Sequence, residues 1–355
     1  MNKQFIKLET KKISYRSAIN QALYQEMERD NSIFIYGIDV ADHKRIFGST
    51  VGLLEKFGPQ RVFSTPLSEE SLLGFGLGAS ISGLRPINVH IRVDFLLVAI
   101  NQLVNMVASY HYGSDGKVQV PFVIRAIIGK GWGQSYQHSK SLQSFFAHIP
   151  GLKVVMPTTP ADAKGLLIAS IRDNNPVIVL EHRMLYDVEG EVPIKPIPTP
   201  LGKGQILKIG KDITIVATSY SVVEAVKAAE VLEKRGISVE VIDPRSIFPL
   251  DEELIIKSVE KTGHCIIADY DWTFCGFSAE VATRIYEKLS HKLKSPITRL
   301  GFAPTHCPCT RPLEDEFYTD AINLIRAIEK KLKLKETDLS NETFYNYENK
   351  FRGPF

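Results

Sequence analysis

The chain has 355 residues, 44% of them hydrophobic and 23% charged, with a formal net charge of +3. That length points to about two domains, the composition is that of an ordinary globular protein, and the small charge argues against a nucleic-acid or membrane-surface binder. The apolar run at 95–100 is too short to span a bilayer, the opening residues lack a secretory h-region, and four cysteines make no disulfide framework, so a cytoplasmic setting is expected.

Strand-like and helix-like segments alternate along the chain, which predicts an α/β fold of two domains with mainly parallel sheets. A helix is predicted over residues 17–29, where Ile19, Leu23 and Met27 recur at four-residue spacing, and a buried strand over 32–37. A short strand, RVFSTP, leads into Thr65–Pro86, a Ser-led turn followed by a glycine-studded apolar helix. Strands follow at 86–93, 121–129, 152–157 and 176–182, with an amphipathic helix at 95–110 and another helix at 160–172. The proline-rich stretch within 191–206 reads as a linker between a first domain, 1–190, and a second, 207–330. In the second domain DITIVATSY, ISVEVIDPRSI and HCIIADY read as strands, and 221–235, 251–262 and 277–289 as helices. The remaining tail, 331–355, is charged and then aromatic, as a partner-wrapping segment would be.

Glu69 stands in the first turn of the glycine-studded helix. A carboxylate there is favoured by the helix dipole, with Ser68 or Thr65 as cap, and one buried against a heterocycle can also hold or deliver a proton. Glu70 points elsewhere and reads as solvated. The run Gly74-Phe-Gly76-Leu-Gly78-Ala79 fits G-x-G-x-x-A, with Asp94 at the distance of a ribose contact, but TPLSEES separates it from the preceding strand. Two readings stand for these glycines: close helix packing, or a dinucleotide site belonging to a nicotinamide-dependent dehydrogenase. The glycine-rich loop 129–141 carries His138, where loops after strands commonly shape active sites. His306, Cys307 and Cys309, with Cys265 and Cys275 upstream, contain no C-x-x-C pair and suit zinc poorly. Neither a Walker A sequence nor G-x-S-x-G occurs.

Together, INQALYQEMERD, TPLSEESLLGFGLGASISGLRP, YQHSKS, HIPGLKVVMPTTPADAKGLLIASIRDNNPVIVLEH, KDITIVATSY and GISVEVIDPRSIFPLD resemble, in this order, the β subunit of the thiamine-diphosphate-dependent E1 component of 2-oxoacid dehydrogenases. The resemblance covers roughly residues 12–330 and extends to transketolases in the second domain. It implies a pyrimidine-binding domain followed by a transketolase C-terminal-like domain. The glutamate of T-P-x-S-E, here Glu69, would hydrogen-bond the cofactor's aminopyrimidine and so promote loss of the thiazolium proton. Leu67 and Phe95 would contact the cofactor, and His138 would stand in the loop near the substrate. Phe122, Ile171, Asp173 and Asn175 match a loop that binds potassium in some members. The G-D-G…N motif that holds magnesium and the diphosphate belongs to a separate α subunit, and Gly113-Ser-Asp115-Gly116 is not that motif. The resemblance therefore implies an α2β2 heterotetramer, 2-oxoacid decarboxylation, and acyl transfer to a lipoyl carrier on an acyltransferase. Alternatives are acyloin or ketol transfer on another substrate such as a sugar derivative, and a non-catalytic scaffold.

The chain departs from the family pattern at Ile38, at Val89, His90, Ile91, Arg92 and Val93, and at Val98, several of which replace acids. A polar passage between paired active sites would be broken or rerouted by Ile38 and Val98. Arg92 adds a cation near the expected site, there to bind an anionic group or to face solvent or a partner.

Overall fold

The computed structural model describes residues 8–43, 45–130 and 134–344. The middle of the glycine-rich loop and the aromatic end of the tail lie outside the described residues. In chain order the strands are β1 (Thr10–Ser14), β2 (Ile33–Gly37), β3 (Val62–Ser64), β4 (Arg85–His90), β5 (Val123–Ile128), β6 (Lys153–Val155), β7 (Val177–His182), β8 (Glu189–Pro193), β9 (Gln205–Lys208), β10 (Ile213–Ala217), β11 (Val239–Asp243), β12 (Ser246–Phe248), β13 (Cys265–Trp272) and β14 (Thr298–Phe302).

The first sheet has seven strands in the order β12-β6-β7-β5-β4-β2-β3, and the second five, β14-β13-β10-β11-β9. All ladders in both sheets are parallel except β12 on β6 and β9 on β11. The central strands β2, β5 and β7 are buried along their whole length, as continuous apolar runs covered by helices on both faces require. The helices Tyr15–Arg29 and Pro160–Arg172 pack on each other, with Ser14 and Thr159 capping their first turns. Among the described residues no helix is long and apolar enough to cross a membrane.

Three local predictions are corrected. The helix expected over 95–110 is instead a helical turn at Val93–Leu96, a 3-10 turn at Leu97–Ala99, a π-helical stretch at Gln102–Val107 and a last turn at Tyr110–Gly113. Its buried stripe is Leu96, Ala99, Leu103 and Val107. A stripe at every fourth residue drifts by about 40° per step on a regular helix, and the wider π turn holds it against the core. The linker is shorter than 191–206, because β8 runs to Pro193 and pairs with β1, while β9 begins at Gln205. The strand expected in ISVEVIDPRSI is two strands: Arg245, at φ 59, turns the chain so that β11 stays in the second sheet and β12 crosses to the edge of the first.

The glycine question resolves on geometry. Gly74, Gly76 and Gly78 lie within the helix Glu69–Ile81, so their amides belong to its ladder and form no phosphate cradle. A side chain at Gly76 would collide with Phe122 and the Tyr36 hydroxyl, whereas one at Gly78 would meet nothing. Gly76→Ala is expected to cost about 1–3 kcal/mol and Gly78→Ala to be neutral or stabilising, as read by urea unfolding.

The seam between the two sheets is rich in buried acids. Asp269 accepts from Gln143 (2.8 Å) and from the amide of Ser278 (2.9 Å). Burial raises its pKa to about 6, and those of Asp243, Asp271 and Glu224 to about 7. An acid whose folded pKa is raised above about 4 loses stability as pH climbs from that value through the folded pKa. Histidines held below their usual value by burial, His90 (to about 4), His138 and His182, act oppositely, but their contribution is complete by about pH 6.5–7. The melting temperature should therefore fall between about pH 6.5 and 8, and Asp271→Asn should flatten that fall. A melting temperature that rises across this window in wild type would refute the assignment.

Candidate active site

The residues singled out in the first domain gather at the carboxyl ends of the first sheet's parallel strands, where open α/β sheets place their ligands. Glu69 follows β3, Arg92 follows β4, the His138 loop follows β5, and Arg183 follows β7.

Glu69 is the first residue of its helix and 9% exposed, and its carboxylate has no hydrogen-bond or ion-pair partner among the described residues. The expected side-chain cap is absent: Ser68 makes no capping bond, and the buried Thr65 hydroxyl has no partner among the described residues. Neither Glu69 oxygen is fully enclosed, so the carboxylate is open to a donor brought from outside the chain. Glu70 is exposed and accepts a long bond from Gln102 (3.4 Å). Behind Glu69 the same helix brings Phe75 against Phe34, Tyr36 and Phe63, with ring centroids 5.2–6.4 Å apart. The Tyr36 hydroxyl donates to the carbonyl of Leu72 (2.7 Å), tying β2 to the helix.

Leu67 is 78% exposed beside this turn. Phe95, also partly exposed, meets the His138 ring edge-on at 5.3 Å. The Nδ1 of His138 is buried and without partner among the described residues, and burial, then the charge of Arg92, holds the ring below its usual pKa. The structure thus brings Phe95 and His138 together, and sets Glu69 at the start of a helix that packs on the 3-10 turn following Phe95.

Arg92 is buried within this chain rather than solvent-exposed: it is 5% exposed. It donates to the side chain of Gln134 (2.9 Å), as does Arg183 (3.4 Å), and the two guanidiniums lie 5.7 and 5.3 Å from the ring of Phe47. The nearby Asp94 is paired with Lys140 (2.9 Å). Sequence reasoning passed over Arg183, Gln134 and Phe47. A cation directly after the apolar strand PVIVLEH was a signal for Arg183; Phe47 carried none. Among the departures, Val89 is core and Val98 is 60% exposed, so neither lines a buried polar passage within this chain.

The implied potassium loop does not fit that ion. The carbonyls of Ile171 and Asp173 accept from Arg85 (2.9 and 3.0 Å), that of Phe122 from the amide of Val177 (2.9 Å), and the Asp173 carboxylate from Lys153 (2.5 Å) and the amide of Asn175 (2.9 Å). A guanidinium already supplies the positive charge. The cysteine cluster fares no better: Cys307 is buried against the Tyr318 hydroxyl (3.5 Å), Cys309 is exposed, and no group of metal-ligating side chains forms among the described residues.

With this geometry established, comparison with known proteins is informative. Residues 11–189 match the transketolase pyrimidine binding domain and residues 202–323 the transketolase C-terminal domain. The chain is 43% identical over 290 residues to the 2-oxoisovalerate dehydrogenase subunit beta of Bacillus subtilis, covering 81% of this chain and 89% of that one.

The chain belongs to the family of E1 β subunits built on these two domains.

Other members of this E1 β family include the acetoin:2,6-dichlorophenolindophenol oxidoreductase subunit beta of Cupriavidus necator, 39% identical over 333 residues (91% of this chain, 98% of that one). The mitochondrial pyruvate dehydrogenase E1 component subunit beta of Bos taurus is 39% identical over 327 residues, 91% of each chain. A split-gene transketolase, solved as an inactive β4 tetramer, shares the fold at a TM-score of 0.72 and 23% identity, over 91% of this chain and 99% of that one.

Proposed function

We propose that this E1 β-type chain supplies the proton-handling half of a thiamine-diphosphate site and works with an α-type subunit, in an α2β2 assembly, on a 2-oxo substrate. The observation that carries this reading is Glu69, a largely buried side chain at the carboxyl edge of the sheet whose carboxylate has no donor among the described residues. Its environment suits a protonatable ring nitrogen, which would supply the missing donor. When bound, thiamine diphosphate supplies a nucleophilic carbon and an electron sink for cleaving a bond beside a carbonyl. Glu69 holds and returns the proton at the facing ring nitrogen. Phe95 and Leu67 offer apolar surface that excludes water, and His138, kept neutral near pH 7, accepts or returns a proton on the substrate side.

The magnesium and diphosphate contacts fall to the α-type partner, since Asp115 sits in an exposed turn after Tyr110–Gly113. The pyrimidine-binding domain is taken as residues 1–190 and the transketolase C-terminal-like domain as 207–330. Oxidative decarboxylation with acyl transfer to a lipoyl carrier is the leading activity. Acyloin or ketol transfer is the second reading, favoured by Arg92, a cation where the family pattern has none. The test is turnover of a panel of 2-oxo acids by the chain with its α-type partner, with free lipoamide as acceptor. Acyl-lipoamide formation supports the first activity, and carbon–carbon bond formation without lipoamide the second. Full turnover by this chain alone would refute the half-site assignment.

A further inference from the structure

We infer that Gln143 and Asp269 are positioning residues for His138: the second domain, through Asp269, holds down the segment that presents this imidazole at the site. The inference rests on the substrate-side role given to His138 above and goes beyond it by naming what places that group.

The segment around His138 is strained and needs outside support. Ser135 (φ 69, ψ −168) and Leu142 (φ 65, ψ 16) both stand in backbone regions that favour glycine, and they bracket the 3-10 turn Tyr136–His138. Residues held in such regions persist only where the surroundings over-determine them. The segment's own bonds are few: the Ser139 hydroxyl donates to the carbonyl of Ser135 (2.8 Å), and the Lys140 ammonium to the carbonyl of Tyr136 (2.5 Å) and to Asp94 (2.9 Å). The buried attachment comes at its end, from the other domain. Gln143 opens the helix Gln143–Ala147, is fully buried, and donates to the buried Asp269 on β13 (2.8 Å). Asp269 is itself fixed by the amide of Ser278 (2.9 Å) and the Thr218 hydroxyl (3.3 Å). Beside this pair the Ser144 hydroxyl accepts from the amide of Phe277 (2.7 Å). The helix Phe277–Leu289 starts at Gly276, which has no side chain to cap it, so Asp269 and Ser144 take its first two amides, one from each domain.

Packing alone does not explain Gln143. Its amide oxygen is buried without a partner among the described residues, which is unfavourable, and a leucine would fill the same space with no polar atom. What the glutamine adds is a directional bond to a carboxylate. His138 stands five residues earlier, half-buried, its ring edge-on to Phe95 at 5.3 Å. Burial is the main reason that the ring is held below its usual pKa, and the charges acting on it, Arg92, Asp94 and Arg183, all belong to the first domain. That burial lasts only while the segment stays seated. The second domain also borders the segment through His306, whose ring lies 5.8 Å from that of Tyr136.

The test reads His138 directly, by NMR titration of the full chain carrying isotope-labelled histidine, with the His138 signal assigned by its loss in His138→Asn. Gln143→Leu removes the bond to Asp269 together with the unpartnered oxygen and leaves Arg92, Asp94 and Arg183 in place. His138 should then titrate higher than in wild type, toward the ordinary value of about 6.5, as the ring leaves its seat. In the assembled enzyme kcat should fall about 10²-fold with KM unchanged, the mark of a misplaced group that acts in the transition state. Gln143→Glu, which opposes Asp269 with a like charge, should have the same effects. The double variant Gln143→Glu/Asp269→Asn reverses acid and amide, and should restore both the titration and kcat to near wild type. An unchanged His138 titration in both single variants, or no rescue by the reversed pair, would overturn the inference. So would a kcat near wild type in Gln143→Leu where His138→Asn is impaired. If the titration moves and is rescued but His138→Asn turns over like wild type, the anchoring stands and the substrate-side role of His138 fails.

Discussion

Glu69→Gln is expected to lower turnover of the assembled enzyme by about 10²–10⁴-fold, the usual worth of a positioned proton-transfer group. The same substitution should leave the chain as stable as wild type, or slightly more so. The Glu69 carboxylate has no internal donor to lose among the described residues. A residue that adds nothing to folding and supports reaction is the pattern of a functional site rather than a structural one. Paired measurements settle it: steady-state turnover with the α-type partner, and thermal unfolding of the chain alone. Turnover within a few-fold of wild type would point instead to a scaffold.

Glu181→Ala should be the most damaging single change to stability, costing about 3–5 kcal/mol in urea unfolding. The Glu181 carboxylate receives both bonds from Arg125 and a third from the Tyr186 hydroxyl (2.6 Å), all within the core between β5 and β7. Its loss strands a fully buried guanidinium whose only other side-chain hydrogen bond among the described residues is to Ser49 (3.0 Å). The double variant Arg125→Met/Glu181→Leu should recover most of the loss, because the penalty comes from the orphaned charge rather than from the missing attraction. A single variant as stable as wild type would mean that water or rearrangement reaches this pair.

Elements whose burial is continuous were legible from sequence. IFIYG, VIRAII and VIVLEH are apolar runs bounded by turn residues, and each is a fully buried strand. Elements set by distant partners were not. Nothing in Ser246–Phe248 says that it leaves β11's sheet; only the left-handed turn at Arg245 and the open edge of β6 decide that. The interrupted helix after Phe95 was hidden for a related reason: its apolar spacing suits a helix, and the winding is decided by the surface it covers. At the candidate site, Glu69 was visible because a motif frames it, and Arg92 because it departs from one. The meaning of Arg92 required Arg183 and Phe47, which come from other loops and meet it only at the carboxyl edge of the sheet. The glycines show the converse limit: one pattern held Gly76, which packing demands, and Gly78, which it does not.

The crossing of β12 to the edge of β6 also bears on how the protein is made. A ribosome that has released only the first two hundred or so residues presents a parallel sheet whose outermost ladder has no cover, because the strand that completes it is still to be synthesised. Unpaired edges of this kind invite association with neighbouring chains. A gene cut between the two halves would therefore yield an amino-terminal fragment that precipitates, and the separate carboxyl-terminal fragment would have to be supplied at the same time to rescue it.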